Sequence, residues 1–122
     1  MVVDDEADIR FLVKAFLEPE GCKVLEAGDA ATLRRFFVQP APDAVILDLK
    51  LPDANGLDLL REIKRSWPTS KVIILTGYST VEAGAEAFKF EDVFLQRKPF
   101  DGEMLKAMLQ MALAPKVPSR KP

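Results

Sequence analysis

The chain has 122 residues, with 17 lysines and arginines, 19 acidic residues, one cysteine and no histidine. This length is typical of one domain. The net charge of −2 argues against direct nucleic-acid binding, because a domain that binds nucleic acid usually carries a basic face. The lack of histidine excludes Ser-His-Asp and Cys-His catalysis and histidine-ligated metals. A single cysteine excludes an internal disulfide and a cysteine-ligated zinc or iron–sulfur site.

The sequence contains no recognisable targeting or membrane segment. Met1 to Val3 lead directly into Asp4, Asp5 and Glu6 without a basic start or an apolar stretch, so we expect no signal peptide. No apolar run approaches the ~20 residues that a membrane span needs. We therefore expect a cytoplasmic domain with no membrane partner.

Short apolar runs predict five strands. They are Met1–Val3, Lys23–Ala27, Ala44–Leu47, Lys71–Leu75 and Val93–Gln96. The first, third and fourth runs show no polar alternation, which is typical of parallel strands covered on both faces. The second run is more mixed and is expected to form an edge strand.

Between these runs the apolar residues recur with helical spacing. The first helix has an inward stripe from Ile9 to Leu17, and the second is predicted over Ala30–Val38 with Asp29 as its N-cap. Leu59, Leu60, Ile63 and Trp67 mark the third helix, which Pro68 stops. Val81, Ala85 and Phe88 mark a shorter, alanine-rich fourth helix, and Leu105, Met108, Leu109 and Ala112 mark the fifth, with Asp101 as its cap.

Five strands alternating with five helices predict an α/β fold, a (βα)5 doubly wound parallel sheet with helices on both faces. We assign residues 1–114 to this domain. Residues 115–122 contain three prolines and three basic residues, a composition that predicts a linker or tail. Ligands of such folds bind at the carboxyl ends of the strands.

Polar residues follow four of the predicted strands. Asp4 and Asp5 follow the first, Asp48 the third, Thr76 the fourth and Lys98 the fifth. Three converging carboxylates repel one another unless a cation lies between them. An all-oxygen ligand set suits Mg2+, while a lysine and a hydroxyl suit a phosphoryl group. The pattern predicts Mg2+-dependent phosphoryl transfer onto a carboxylate, with Asp48 favoured because it leaves the central strand.

Four segments of this sequence resemble one known family. They are Val2-Val3-Asp4-Asp5-Glu6, Val45-Ile46-Leu47-Asp48-Leu49-Lys50-Leu51-Pro52-Asp53-Ala54-Asn55-Gly56, Ile73-Ile74-Leu75-Thr76-Gly77-Tyr78 and Lys98-Pro99-Phe100. In order and spacing they are similar to the CheY-like response-regulator receiver domain of two-component signal transduction, from the first residue to about Ala114. The resemblance implies a flavodoxin-like fold with strand order 2-1-3-4-5.

The resemblance also implies a role for each site residue. Asp48 would accept a phosphoryl group from the phosphohistidine of a sensor histidine kinase or a histidine phosphotransfer protein. Mg2+ would be held by Asp4, Asp5, Asp48 and the Lys50 carbonyl. The phosphoryl group would be contacted by Thr76, Lys98 and the backbone N–H groups of Leu49 and Gly77. The Lys98–Pro99 peptide is expected to be cis.

Phosphorylation would then switch the face formed by the fourth helix, the fifth strand and the fifth helix, which would contact an output domain or a second receiver. The family often places an aromatic switch residue three positions before the lysine. This position holds Leu95, and a shifted alignment would instead place Phe94 there. Because the chain has no histidine, its phosphohistidine donor must lie on another domain or chain, unless a small phosphodonor serves.

Two other functions remain open on the sequence. A receiver fold can serve as an interaction scaffold without phosphorylation. An aspartyl-phosphate phosphohydrolase usually carries a second aspartate two residues after the nucleophile, and Lys50 occupies that position, which counts against this reading. We expect a switch that assists its own phosphorylation and dephosphorylation, not an enzyme.

Overall fold

The computed structural model describes residues 1–77 and 81–114. Five parallel strands form its main sheet: β1 (Val2–Val3), β2 (Glu26–Ala27), β3 (Ala44–Asp48), β4 (Lys71–Thr76) and β5 (Val93–Arg97). Their spatial order is β2-β1-β3-β4-β5. The α/β fold and the strand order are therefore confirmed, and the predicted edge strand does lie at an edge.

Five α-helices alternate with these strands: α1 (Ala7–Leu17), α2 (Ala30–Arg35), α3 (Gly56–Ser66), α4 (Val81–Phe88) and α5 (Gly102–Leu113). The predicted helix over Ala30–Val38 is α-helical to Arg35 and tightens into a 3-10 turn over Phe36–Val38. Both predicted N-caps are confirmed, because Asp29 accepts from the Thr32 N–H at 2.7 Å and Asp101 from the Met104 N–H at 2.8 Å.

The core has two layers, one on each side of the sheet. Alternate residues of a strand point to opposite faces, so Val45 and Leu47 pack with α2, α3 and α4, whereas Ala44 and Ile46 pack with α1 and α5. We call these the α2–α4 layer and the α1–α5 layer. The central strands are covered on both sides, which explains their unbroken apolar sequences.

The fourth helix forms where its apolar residues predict it, but these residues do not face the core. Val81 and Phe88 are 91% and 94% exposed, whereas Ala83, Glu86 and Ala87 are buried. Glu86 can lie inward because Arg61 and Lys89 each place a nitrogen 2.9 Å from its Oε1. Helical spacing identifies an apolar stripe, but it does not say whether the stripe faces the sheet.

Two parts of the sequence discussed above fall outside the described residues, namely the proposed linker over 115–122 and Tyr78, the last residue of the third quoted segment. Within the described part, none of the helices is long and apolar enough to cross a bilayer.

Candidate functional site

The carboxyl ends of the strands bring the predicted polar residues together. Asp4 follows β1, Asp48 ends β3 and Thr76 ends β4, and these three residues are 0%, 5% and 4% exposed. Lys98 follows β5, and its backbone N–H donates to the Thr76 carbonyl at 2.7 Å. The structure thus brings Asp4, Asp48, Thr76 and Lys98 together at one edge of the sheet.

Three carboxylates form the acidic part of the site. Asp4, Asp5 and Asp48 each offer one oxygen, and these oxygens lie within 4.8 Å of one another. Asp4 and Asp48 are buried, whereas Asp5 is exposed and forms the solvent side of the cluster. The Lys98 Nζ lies 3.4 Å from Asp4 Oδ2 and 3.5 Å from Asp48 Oδ2. The ammonium therefore contacts both buried acids.

Backbone donors orient the other oxygens of these two carboxylates. The Glu6 N–H donates to Asp4 Oδ1 at 2.9 Å, and the Lys50 N–H donates to Asp48 Oδ1 at 3.0 Å. The sequence interpretation used only the carbonyl of Lys50 and missed its N–H. The tight turn after Asp48 was the available signal, because such a turn can aim a backbone N–H at the preceding carboxylate.

The site carries an excess of negative charge. Burial raises the pKa of Asp4; the Asp48 charge raises it further, while the Glu6 N–H and Lys98 oppose the rise. Burial by itself lowers the pKa of Lys98, but Asp4 and Asp48 outweigh it, so this pKa lies above its ordinary value. Protonation is thus favoured at both groups, as expected where three carboxylates face one ammonium.

These residues fit a Mg2+ ion. Their donors are all carboxylate oxygens, which Mg2+ prefers, and a Mg–O distance of ~2.1 Å places two ligand oxygens at most about 4.2 Å apart. The oxygens of the three aspartates lie within 4.8 Å of one another, so small side-chain movements would bring them to the spacing that a bound Mg2+ needs. A divalent cation would also relieve the repulsion among Asp4, Asp5 and Asp48.

The loop after Asp48 borders this cluster. Lys50–Leu51 pairs antiparallel with Ala54–Asn55, and the Asn55 side chain accepts from the N–H groups of Leu57 and Asp58 at the start of α3. A Cβ at Gly56 would overlap the backbone of Leu49, so a glycine is needed where α3 approaches the end of β3. Sequence interpretation missed Asn55, although Asn before an apolar helical pattern is an N-cap signal.

Three of the four predicted phosphoryl contacts line one cleft of ≈190 Å³, whereas Lys98 lines a second pocket that shares Gly77 with it. The walls of the first cleft include Asp48, Leu49, Lys50, Thr76 and Gly77. The Leu49 N–H donates to the Leu75 carbonyl over a long 3.4 Å. That the N–H groups of Leu49 and Gly77 contact a phosphoryl group stays a prediction.

The strand register separates the two candidate switch residues. Leu95 lies beside Ile74 of β4, and both belong to the α2–α4 layer. Thr76, two residues after Ile74, points to the same face. Phe94 packs in the α1–α5 layer instead. Leu95 therefore shares a face with Thr76, whereas Phe94 does not. The Lys98–Pro99 peptide is cis, as expected.

Comparison with known proteins decides the family. The family profile of the response regulator receiver domain matches residues 1–110. The chain belongs to the response-regulator receiver family. Among solved structures, this receiver domain is similar to a CheY-like receiver from Methanospirillum hungatei (TM-score 0.84, 28% identity, covering 92% of this chain and 90% of the other). It is also similar to the receiver domain of NtrX from Brucella abortus (TM-score 0.81, 35% identity, covering 92% and 95%).

The curated relatives of this receiver domain are longer proteins. It is 33% identical over 114 residues to a putative NtrX-like response regulator from Rickettsia bellii, and 32% identical over 114 residues to the DNA-binding transcriptional regulator NtrC from Proteus hauseri. Each match covers 92% of this chain and 24% of the relative. The receiver domain thus spans about a quarter of these relatives.

Proposed function

We propose that this receiver domain accepts a phosphoryl group on Asp48 from the phosphohistidine of a sensor histidine kinase or a histidine phosphotransfer protein. The single observation that carries the proposal is the contact of Lys98 Nζ with both Asp4 and Asp48, at 3.4 and 3.5 Å, beside an acidic cluster open at Asp5. A carboxylate nucleophile, a fixed cation and a metal-binding cluster are the groups that phosphoryl transfer needs.

In this proposal one Asp48 oxygen forms a bond to phosphorus as the bond between phosphorus and the donor imidazole nitrogen breaks, and the imidazole leaves. Asp4, Asp5, Asp48 and the Lys50 carbonyl would hold Mg2+, which supplies neutralisation of the phosphoryl oxygens when bound. Lys98 adds a second positive charge, and the Thr76 hydroxyl with the N–H groups of Leu49 and Gly77 donates to the phosphoryl oxygens.

The proposed output of phosphorylation is a change of the face formed by α4, β5 and α5. Thr76 lies at the end of β4, and Leu95 lies on the same side of the neighbouring strand, so a movement of Thr76 toward a phosphoryl group frees space next to Leu95. The partner at that face would be an output domain, in line with the longer NtrX- and NtrC-type relatives, or a second receiver. We infer a cytoplasmic switch that assists its own phosphorylation, rather than an enzyme.

Mass spectrometry after incubation with Mg2+ and acetyl phosphate tests the proposal. We expect one phosphoryl adduct on the wild type and none on Asp48→Asn. Asp43→Asn is the matched control, because Asp43 is exposed and lies just before the other end of β3, and it should be phosphorylated like the wild type.

An unmodified wild type that also shows no spectral change with beryllofluoride would refute the phosphoacceptor role and favour the scaffold. Sustained hydrolysis of phosphate monoesters would instead favour the phosphohydrolase.

A further inference from the structure

Arg10 of α1 contacts the backbone of the turn that carries Asp4 and Asp5. Its Nη1 donates to the Asp4 carbonyl at 2.7 Å, and its Nε donates to Glu26 Oε1 at 3.3 Å. The Arg10 side chain is 21% exposed. A Cβ at Gly28 would lie 3.2 Å from Nη1, so the glycine leaves room for the guanidinium. One planar group thus connects the first residue of β2 to the turn that follows β1.

The contacted carbonyl belongs to the peptide between two of the acidic residues. The carbonyl of Asp4 and the N–H of Asp5 lie in one rigid plane. The other side of Asp4 is also held, because its N–H donates to the Ala27 carbonyl at 3.0 Å and its Oδ1 accepts from Glu6. Fixing the carbonyl therefore fixes the position of the Asp5 Cα atom, from which the exposed side chain leaves the backbone.

We propose that Arg10 is a positioning residue for the metal site: it holds the Asp4–Asp5 peptide so that both carboxylates face Asp48. The inference rests on the proposed function, because it assumes that Asp4, Asp5 and Asp48 bind Mg2+. This ion demands near-octahedral geometry, and loss of a group that orients its ligands typically weakens metal binding by 10- to 100-fold.

The sign of the effect separates positioning from simple electrostatics. A guanidinium near a cation site repels the cation, so loss of its charge alone would strengthen Mg2+ binding. Loss of the hydrogen bond to the Asp4 carbonyl would free the peptide plane and weaken Mg2+ binding. The two roles of Arg10 predict opposite changes in one measured affinity.

Lys14 provides a matched control. Its Nζ lies 3.4 Å from Glu26 Oε2, so it pairs with the same carboxylate as Arg10 from one helical turn further along α1. The hydrogen bonds described above connect Arg10, and not Lys14, to Asp4. Arg10→Met and Lys14→Met each remove one positive charge beside Glu26, and only Arg10→Met also removes the contact with the metal-ligand turn.

The experiment is a titration of the 15N-labelled chain with MgCl2, followed by NMR, with spectra of residues distant from the site as the check of folding. We expect Mg2+ to bind Arg10→Met about tenfold or more weakly than the wild type. Lys14→Met should bind Mg2+ as tightly as the wild type or slightly more tightly. Unchanged or tighter binding in a folded Arg10→Met would overturn the proposal.

Arg10→Lys keeps the test decisive if the methionine variant does not fold. An ammonium retains the charge but cannot donate to the Asp4 carbonyl and to Glu26 in the fixed geometry of a guanidinium, so Mg2+ binding should still be weaker; wild-type affinity would refute the proposal. A wild type that fails to bind Mg2+ would refute the metal site of the proposed function itself. Normal Mg2+ binding and phosphorylation in every variant would refute only the proposed role of Arg10 and would leave the proposed function intact.

Discussion

Among single residues, Asp4 carries the clearest conflict between stability and function. Its carboxyl group is fully buried, and burial, followed by the Asp48 charge, raises its pKa above the ordinary 3.8. The folded state therefore binds more protons than the unfolded state as the pH rises from below 3.8 to the folded pKa. The slope of the free energy of unfolding with pH is proportional to the number of protons bound by the unfolded state minus the number bound by the folded state. This difference is negative in the window, so the free energy of unfolding falls as the pH rises through it. At neutral pH the charged Asp4 destabilises the fold.

We predict that Asp4→Asn is more stable than the wild type at pH 7 without Mg2+. Asparagine keeps the oxygen that accepts from the Glu6 N–H and removes the buried charge. The difference in the free energy of unfolding should shrink as the pH falls through the raised pKa of the folded state, and it should be smallest below 3.8, where Asp4 is protonated in both states. Mg2+ should narrow this difference at pH 7 by binding the wild type. Urea unfolding, monitored by the fluorescence of the buried Trp67, measures the free energy of unfolding of both proteins. A less stable Asp4→Asn at pH 7 would contradict this account.

The residues of the site differ in how far sequence could reveal them. Asp4, Asp48, Thr76 and Lys98 lie at or just after the carboxyl ends of strands, and these ends meet at one edge of a parallel sheet, so the convergence of the four residues was predictable. Arg10 was not, because a helical arginine is usually solvent-exposed. Its function depends on how α1 packs near Gly28 and Glu26, which no local pattern encodes.

At the scale of elements, α4 shows where periodicity is insufficient. Its apolar residues Val81 and Phe88 face outward, whereas Glu86 is buried against Arg61 of α3. A helix stripe predicts that one face will be covered, but the covering partner can be another part of the same chain or a different molecule. The outward stripe belongs to α4, one of the three elements of the proposed output surface.

The position of Phe88 predicts a small effect of its truncation. At 94% exposure it contributes little to the fold, so Phe88→Ala should change the free energy of unfolding by no more than about 0.5 kcal/mol. Truncation of a phenylalanine that faced the sheet would instead lower the free energy of unfolding by about 3–5 kcal/mol. Leu60→Ala is the positive control, since Leu60 is fully buried and its truncation should cost about 2–5 kcal/mol. Urea unfolding of the two variants at low protein concentration decides which face of α4 packs inward.

Over the whole molecule, the order of the elements was predictable and their closest contacts were not. Five apolar runs separated by helical patterns admit few topologies besides a doubly wound sheet. Two contacts between separate segments of the chain could not be predicted from its sequence. Asp53, in the loop after Asp48, accepts from the N–H groups of Ala30 and Ala31 at 2.8 and 3.0 Å, and so connects this loop to the start of α2. The first turn of α3 lies against the backbone after β3.

Two helical glycines should therefore respond to the same substitution with opposite signs. Alanine is favoured over glycine in a helix by about 0.5–1 kcal/mol, and a Cβ at Gly84 meets nothing within 4 Å, so Gly84→Ala should raise the free energy of unfolding by that amount. At Gly56 the added Cβ would overlap the backbone of Leu49, which cannot rotate away as a side chain can. Gly56→Ala should then lower the free energy of unfolding by about 1–3 kcal/mol and, because Leu49 follows Asp48, slow phosphorylation by acetyl phosphate. Urea unfolding and mass spectrometry of both variants measure these effects; stabilisation of the domain by Gly56→Ala would show that α3 and the end of β3 are not in close contact.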